Sequence, residues 1–264
     1  MLNFNEAKKI IIEIINSSES PEDIVLVGGQ SIEFWRHHFK IKSKFDYLTR
    51  DIDFFAESSV AELNFQAMSH KKYAEIYIPD MDDPTPSSAK MTFEEGDQKI
   101  EIDYMRQITG LSGDEIESYS RLIKIDGDVI KVLHPILCME SKIINLACHP
   151  AKRKAEGIEQ ARLSIKIVNS YLSELIDQGK TKETYAAIER IARLSKREPS
   201  KFSHYNYVLD TLAAIPIDRY PASEFKDIRY PQIVNDISLS RAKFSVLMDV
   251  RKELYDIDSM RYRP

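Results

Sequence analysis

Residues 51–55 read Asp51-Ile52-Asp53-Phe54-Phe55, an alternation of acidic and apolar side chains that ends in two aromatic residues. Successive side chains of a β-strand point to opposite faces of a sheet, so this stretch predicts a strand with both aspartates on one face and Ile52 in the core. The aromatic pair indicates a central strand, where two carboxylates without partners would be costly. The two aspartates are therefore predicted to share divalent cations.

A short apolar strand, Ile24–Val27, precedes this segment and is followed by Gly28-Gly29-Gln30-Ser31. Helical spacing resumes over Ser31–Phe39, so the glycines lie at a strand-to-helix junction. Glycine lets the backbone turn tightly and approach a phosphate, and the helix start offers free N–H groups. Ser31 adds a hydroxyl donor. On its own, a glycine pair at such a junction is more often a plain turn than a phosphate site.

A third acidic segment, Ile100-Glu101-Ile102-Asp103, lies on the second strand of a hairpin predicted around Gly96-Asp97. Alternation again sends the apolar residues one way and both carboxylates the other. A carboxylate from this strand would complete an all-oxygen site, which suits Mg²⁺ or Mn²⁺. The alternation does not decide whether Glu101 or Asp103 is this carboxylate, because both side chains point to the same face of the strand.

Strand signals end near Pro135, so the chain is predicted to be α+β: a mixed sheet with flanking helices over residues 1–135 and a helical domain over residues 136–264. Four prolines of the second half are taken as interruptions of helix: Pro199, Pro216, Pro221 and Pro231. The periodicity predicts helices over Asn5–Ser17, Ala61–Met68, Ile136–Ala147, Ile158–Ile176, Lys182–Leu194 and Leu239–Tyr255, and further strands over Ala74–Ile78, Lys90–Phe93, Lys99–Met105, Leu122–Ile125 and Val129–Leu133.

Composition is that of a globular protein of 264 residues, with 43% hydrophobic and 30% charged residues. The net charge of −5 divides unevenly, since residues 1–135 hold 15 basic and 25 acidic residues and residues 136–264 hold 22 and 17. A basic surface in the second half could meet phosphates. Two cysteines favour a reducing cytoplasm, and no apolar run approaches the roughly 20 residues of a membrane span.

Together, the strand followed by Gly-Gly-Gln-Ser, the segment Thr49-Arg50-Asp51-Ile52-Asp53-Phe54 and the distal strand carboxylate resemble the DNA-polymerase-β-like nucleotidyltransferase superfamily. Within it, the pattern looks most like the AbiEii/AbiGii-type toxin branch. That branch tends to carry a lysine early in the helix after the catalytic sheet, and Glu140-Ser141-Lys142 is similar. The matching motifs lie in residues 24–145.

The resemblance implies a nucleotidyltransferase sheet followed by a helical domain that closes the cleft. Asp51, Asp53 and Asp103 would be the catalytic and metal-binding carboxylates, Asp103 being the third ligand and a possible base. The nucleotide-binding residues would be Gly28, Gly29, Gln30, Ser31, Thr49, Arg50 and Lys142. Further basic residues, Lys152, Arg153, Lys154, Arg162 and Lys166, are expected to line the cleft opposite the carboxylates.

Two classes of function stay open at this point. The first is an active enzyme that moves a nucleoside monophosphate from a nucleoside triphosphate to RNA, with tRNA favoured, or to a small molecule such as an antibiotic. The toxin-like resemblance would add a toxin–antitoxin or phage-defence role and a cognate antitoxin. The second class is a nucleotide-binding regulatory module that keeps the fold without turnover.

Overall fold

The computed structural model describes residues 2–18, 21–43, 51–80 and 82–261, with side chains given up to residue 253. The chain divides into two compact units, Met1–Lys142 and Ile143–Pro264. The division falls inside a helix, Pro135–Cys148, whereas the sequence places the domain boundary at the start of that helix.

The first helix, α1, covers Phe4–Ser17 and begins at a complete capping box. The Asn3 side chain accepts hydrogen bonds from the backbone of Asn5 and Glu6, and the Glu6 carboxylate accepts one from the Asn3 N–H. This satisfies N–H groups that the first turn of a helix leaves open. Its apolar residues, spaced three or four apart, are buried, and the helix predicted over Asn5–Ser17 is confirmed: they are Ala7, Ile10, Ile11, Ile14 and Ile15.

Within the described ranges, seven strands form one mixed sheet: β1 (Val25–Leu26), β2 (Asp51–Phe55), β3 (Lys72–Tyr77), β4 (Ser87–Glu95), β5 (Gln98–Met105), β6 (Arg121–Ile125) and β7 (Asp128–Val132). Their order across the sheet is β3-β4-β5-β2-β1-β7-β6. The central strand β2 is parallel to β5 and antiparallel to β1, and β1 is parallel to β7. The helices of this unit are α1, α2 (Gly28–His38), α3 (Ser58–Met68), α4 (Gly113–Tyr119) and the start of α5 (Pro135–Cys148). The α+β class and the hairpin at Gly96-Asp97 are confirmed, and β6 and β7 form a second antiparallel hairpin.

One face of the sheet is the core face. Ile52 and Phe54 of β2 and Ile102 and Tyr104 of β5 are fully buried. Asn64 of α3 donates a hydrogen bond from Nδ2 to the Tyr104 hydroxyl, so α3 covers this face. The alternation of β2 and β5 therefore leaves their acidic residues on the opposite face, as the sequence predicts.

The second unit is helical in its described residues. Pro199, which is predicted to interrupt a helix, instead lies in the first turn of a helix, whereas Pro231 directly follows a π-helical turn. A first turn tolerates proline, because its N–H groups have no partner within the helix. Residues 225–229 form a π-helical turn that runs directly into the last helix. The helices are α6 (Ala155–Asp177), α7 (Thr181–Lys196), α8 (Glu198–Tyr207) and α9 (Tyr230–Arg261).

Every helix in the described part of the chain is too short or too polar to cross a lipid bilayer.

Val208, which ends α8, is a strained position. Its backbone is left-handed, with φ 55° and ψ 36°, and its side chain is 83% exposed. A β-branched residue rarely adopts this conformation, and an exposed side chain offers little packing in return. We expect Val208→Gly to raise the free energy of unfolding by roughly 0.5–1 kcal/mol, as measured by urea denaturation. A loss of stability would mean that the valine side chain makes a contact worth more than the strain.

Candidate carboxylate site

The acidic residues of β2 and β5 form a row across two neighbouring parallel strands. Asp51 lies beside Glu101 in register, and Asp53 lies beside Asp103. Neighbouring strands are about 4.8 Å apart, so each pair brings two carboxylates close together. We call these four residues the carboxylate row.

Lys90 borders the row from β4, on the far side of β5. It lies opposite Asp103 in the antiparallel register, and its Nζ is 2.6 Å from Oε2 of Glu101. The hydrogen bond to Glu101 raises the pKa of Lys90, against the lowering effect of burial, and the charges of Asp103, Glu101 and Asp51 act in the same direction as that bond. Lys90 is therefore charged at neutral pH. Lys90 is not among the residues predicted from the sequence.

Burial raises the pKa of the Asp103 carboxyl above its ordinary value. Lys90 opposes that shift, while the charges of Asp53, Asp51 and Glu101 add to it. Because the pKa is raised in the folded state, folding favours the protonated carboxyl. The protein thus loses stability as pH rises from the unfolded-state pKa, about 3.9, to the folded-state pKa.

We expect Asp103→Asn to stabilise the metal-free protein at pH 7 by a few tenths to about 1 kcal/mol, the size of one cross-strand like-charge pair. The gain should shrink as the pH is lowered from 7 toward 4, because wild-type Asp103 then becomes protonated. Urea denaturation in the presence of a chelator measures both effects. Asp97→Asn, in the exposed turn between β4 and β5, is the matched control and should change little. Equal stability of Asp103→Asn and wild type at pH 7 would contradict the raised pKa.

Gly28 packs directly against Asp53. Its φ is +65°, and a Cβ atom placed on it would lie 1.8 Å from Oδ2 of Asp53. The Val27 N–H also donates to the Asp53 carbonyl at 2.9 Å. Two backbone features, the left-handed conformation and the close approach, therefore require glycine here. This contact places the start of α2 beside the carboxylate row.

Ser31 is fully buried, and its hydroxyl bonds within the protein. Oγ donates to the Gly28 carbonyl at 2.9 Å and lies 3.4 Å from Sγ of Cys138 in α5. Ser31 thus holds the turn instead of presenting a donor at the surface. The neighbouring Gln30 is 4% exposed, and its Oε1 has no hydrogen-bond partner among the described residues. Gly29 lies in the first turn of α2.

Lys142 lies four residues after Cys138, on the same side of α5. Burial raises the pKa of the Cys138 thiol to about 12, and the Lys142 charge acts against that shift. Because Cys138 contacts Ser31, this side of α5 faces the first turn of α2. The structure thus brings Gly28, Ser31 and the Lys142 side of α5 together. Thr49 and Arg50 lie outside the described residues.

Asp51, Asp53 and Asp103 have the oxygen chemistry that Mg²⁺ prefers, and Gly28, the first residue of α2, packs against Asp53. Across the described ranges, however, no three His, Cys, Asp or Glu side chains are placed to hold one metal ion. The donor set fits a divalent cation in its chemistry, but it is not gathered around one point. Lys90 supplies a cation to the row instead.

A cavity of about 280 Å³ lies at the C-terminal ends of β2 and β5, where Phe55 and Met105 end these strands. Phe55, Glu57, Met105, Arg106 and Lys131 are among the residues that line it. The Lys131 ammonium donates to the Glu22 carbonyl, and Arg106 donates to the carbonyls of Asp83 and Thr85. These cations hold the protein backbone, so the carboxylate row stays the better candidate for chemistry.

The second unit contains the other predicted basic residues, with different local roles. Arg153 donates to the carbonyls of Leu146 and Ala147 at the end of α5, and its guanidinium lies 4.9 Å from the Phe202 ring centroid. Arg153 therefore caps a helix, a role that the sequence analysis missed. Arg162 pairs with Glu159. Lys152, Lys154 and Lys166 are exposed.

Comparison with known proteins finds distant structural likenesses only. No known family model and no curated protein sequence matches the chain. JHP933 from Helicobacter pylori is 15% identical over 97% of this chain and 97% of its own, with a TM-score of 0.39. A presumed nucleotidyltransferase from H. pylori is 13% identical over 92% of this chain and 96% of its own, with a TM-score of 0.37. Likenesses this distant assign no activity, substrate or partner to this chain.

Proposed function

We propose that this chain is a metal-dependent nucleotidyltransferase, which moves a nucleoside monophosphate from a nucleoside triphosphate to an acceptor hydroxyl. One observation carries the proposal: Asp53, paired in register with Asp103, packs against Gly28 at the start of a helix. The phosphate groups of a nucleotide bound at the start of this helix would then lie beside the carboxylates. In the reaction, the acceptor hydroxyl would give its proton to a base, for which Asp103 is the candidate. The acceptor oxygen forms a bond to the α-phosphorus, the bond from that phosphorus to the α,β-bridging oxygen breaks, and pyrophosphate leaves.

Each residue has a separate task in this proposal. Gly28 and Gly29 let the backbone approach the phosphates, and the N–H groups of the α2 first turn bind them. Asp51, Asp53 and Asp103 would hold Mg²⁺ or Mn²⁺, which when bound neutralises charge on the triphosphate. Lys142 would bind the triphosphate from α5. Ser31 acts as a positioning residue, because its hydroxyl holds the Gly28 carbonyl. Gln30, Thr49 and Arg50 remain nucleotide-binding residues by resemblance.

We further propose that the acceptor is RNA, with tRNA the first candidate, and that the enzyme is a toxin of the AbiEii/AbiGii type. A toxin–antitoxin or phage-defence role and a cognate antitoxin would follow. Two features of the sequence support this. The Gly-Gly-Gln-Ser and Asp51–Phe54 segments resemble that branch, and residues 136–264 carry an excess of basic residues. The acidic residues 1–135 would suit a cationic small-molecule acceptor instead.

A second candidate is a nucleotide-binding module without turnover. The observation in its favour is that the carboxylates of the described residues do not converge on one point. A module of this kind would bind a nucleoside triphosphate and transfer nothing.

One experiment separates these candidates. Purified protein is incubated with each α-labelled nucleoside triphosphate, Mg²⁺ or Mn²⁺, and total cellular RNA or a cationic antibiotic. Label that enters RNA and requires the metal supports the RNA nucleotidyltransferase, and label on the antibiotic supports the small-molecule enzyme. Nucleotide that binds in equilibrium dialysis without transfer to either acceptor would overturn the enzyme proposal in favour of the module.

A further inference from the structure

The cavity at the C-terminal ends of β2 and β5 has no part in the proposed reaction. Phe55 and Met105, which line it, are neighbours in register and follow Asp53 and Asp103 by two residues. Alternation puts these four side chains on one face of the sheet, and two residues of a strand span roughly 7 Å. A ligand in the cavity therefore lies beside the carboxylate row and not on it.

Part of the lining is apolar, and it includes the half-buried side chains of Phe55 and Met105. Ala56 and Val60 continue this apolar surface from β2 into α3. A Cβ atom on Gly113 would lie 3.5 Å from Cζ of Phe55, so the start of α4 packs against the ring. The volume of about 280 Å³ lies just below the roughly 300–1,000 Å³ of pockets for drug-sized ligands. The cavity thus suits a small ligand with one apolar group.

Charged side chains of both signs also line the cavity. They are Arg106, Lys131, Glu22, Asp23, Glu57 and Glu117. Nη2 of Arg106 donates to two carbonyls, those of Asp83 and Thr85. Nζ of Lys131 donates to the carbonyl of Glu22 at 2.6 Å. These acceptors fix the two cations in place but carry no charge that would compensate them.

The charges of the cavity are not paired with one another in the part of the chain that the structure describes. Arg106 and Lys131 form no ion pair there, and neither do the four carboxylates of the lining. Two cations and four carboxylates therefore surround one small space, and both signs of charge are available to a ligand.

We infer that this cavity binds a small zwitterion with an apolar side chain, a free α-amino acid in its chemistry. The ligand's carboxylate pairs with Arg106 and Lys131, and its ammonium pairs with the carboxylates of the lining. Its side chain packs against Phe55 and Met105. The inference goes beyond the proposed function, because it requires neither nucleotide nor metal.

A ligand with a single charge matches this lining less well. A monoamine would leave Arg106 and Lys131 without an anion while it displaces the solvent around them. A monocarboxylate would leave the acidic residues without a cation in the same way. A charged group that loses water without gaining a partner is costly, whereas a zwitterion supplies a partner for each sign.

The test is equilibrium dialysis of the full chain against radiolabelled L-leucine, L-methionine and L-phenylalanine, each alone. We expect at least one of them to bind with a dissociation constant of about 1 mM or lower. Two analogues of the bound amino acid then compete with it, one without the ammonium and one without the carboxylate. For leucine these are 4-methylpentanoate and 3-methylbutylamine. Each should bind at least about tenfold more weakly than the amino acid, because it leaves one sign of charge unpaired.

Variants of the lining locate the bound amino acid. Lys131→Met removes one cation and should weaken binding about fivefold or more, and Lys124→Met, on the exposed side of β6, is its matched control.

Glu57→Gln combined with Glu117→Gln tests the acidic side of the cavity and should weaken binding by a similar factor. Glu62→Gln combined with Glu75→Gln removes two exposed carboxylates of the same unit outside the cavity, and this control should bind like wild type. Circular dichroism checks that every variant is folded.

Each other result overturns the inference. If none of the three amino acids bound at about 10 mM, the cavity would not be a zwitterion site. Equal binding of the amine would make it a cation site, and equal binding of the carboxylate would make it an anion site. Binding that both sets of cavity variants left unchanged would lie elsewhere on the protein. Label transfer by a protein that binds no amino acid would leave the proposed function standing.

Discussion

Asp53→Asn is expected to reduce metal-dependent label transfer by about three orders of magnitude or more, while the protein stays folded. Asp53 contacts both parts of the proposed site, because it lies beside Asp103 in register and packs against Gly28 at the start of α2. Asparagine keeps the shape of the side chain but removes its charge. A hard cation then loses an anionic ligand, and the row loses part of its attraction for it.

Initial rates of label transfer at saturating nucleotide measure this effect, and circular dichroism checks the fold. Asp97→Asn, in the turn before β5, removes the same charge from the same sheet outside the row and should keep wild-type activity. If Asp53→Asn transferred label at the wild-type rate, Asp53 would not be a catalytic residue, and the carboxylate row would lose its assignment.

The strands of the site were predictable because their signals are local. Period-two alternation in residues 51–55 and 100–103 requires no knowledge of the fold, and the hairpin turn at Gly96-Asp97 is set by neighbouring residues. The shared face of the acidic side chains follows from the same alternation. The capping box at Ser112 and Glu115 is also local, and it was the overlooked signal for α4.

The contacts that join these strands could not be predicted in the same way. Lys90 meets Glu101 only because β4 and β5 pair with one particular register, and a one-residue shift would turn Lys90 to the other face. The contact of Gly28 with Asp53 likewise depends on how α2 leaves β1 beside β2. From the sequence, glycine is expected at this position because it lets the backbone approach a phosphate. The structure adds a second reason: the Asp53 carboxylate occupies the space that a Cβ atom would need.

The prolines of the second unit mark a different limit. A proline disrupts a helix interior, so Pro199, Pro216, Pro221 and Pro231 are each predicted to break a helix. Where a helix begins one or two residues earlier, the same ring fits its first turn without loss. Pro199 is placed so, whereas Pro231 follows a π-helical turn within an uninterrupted run of helix. The local sequence does not tell these two situations apart.

Gly28→Ala is expected to lower transfer by about a hundredfold or more, because it displaces Asp53. The added Cβ would lie 1.8 Å from Oδ2 and 2.6 Å from Cγ of Asp53, distances at which atoms must move. The left-handed backbone adds strain of roughly 1–2 kcal/mol for any residue with a Cβ. Stability and activity should therefore both fall.

Gly96→Ala separates the two causes. Gly96 has a φ of +61°, close to the +65° of Gly28, but a Cβ there would meet no atom within 4 Å. This variant should lose about 1–2 kcal/mol of stability from strain alone and keep its activity. The additional loss in Gly28→Ala then measures the displacement of Asp53.

A double-mutant cycle completes the argument. Asp53→Ala removes the carboxylate that the new methyl group would strike, so Gly28→Ala should cost less stability in the Asp53→Ala background than in wild type. The difference, measured by urea denaturation, is the coupling between the two residues. Equal costs in both backgrounds, together with full activity of Gly28→Ala, would mean that the glycine serves only its own backbone conformation. The start of α2 would then have no part in holding the carboxylate row.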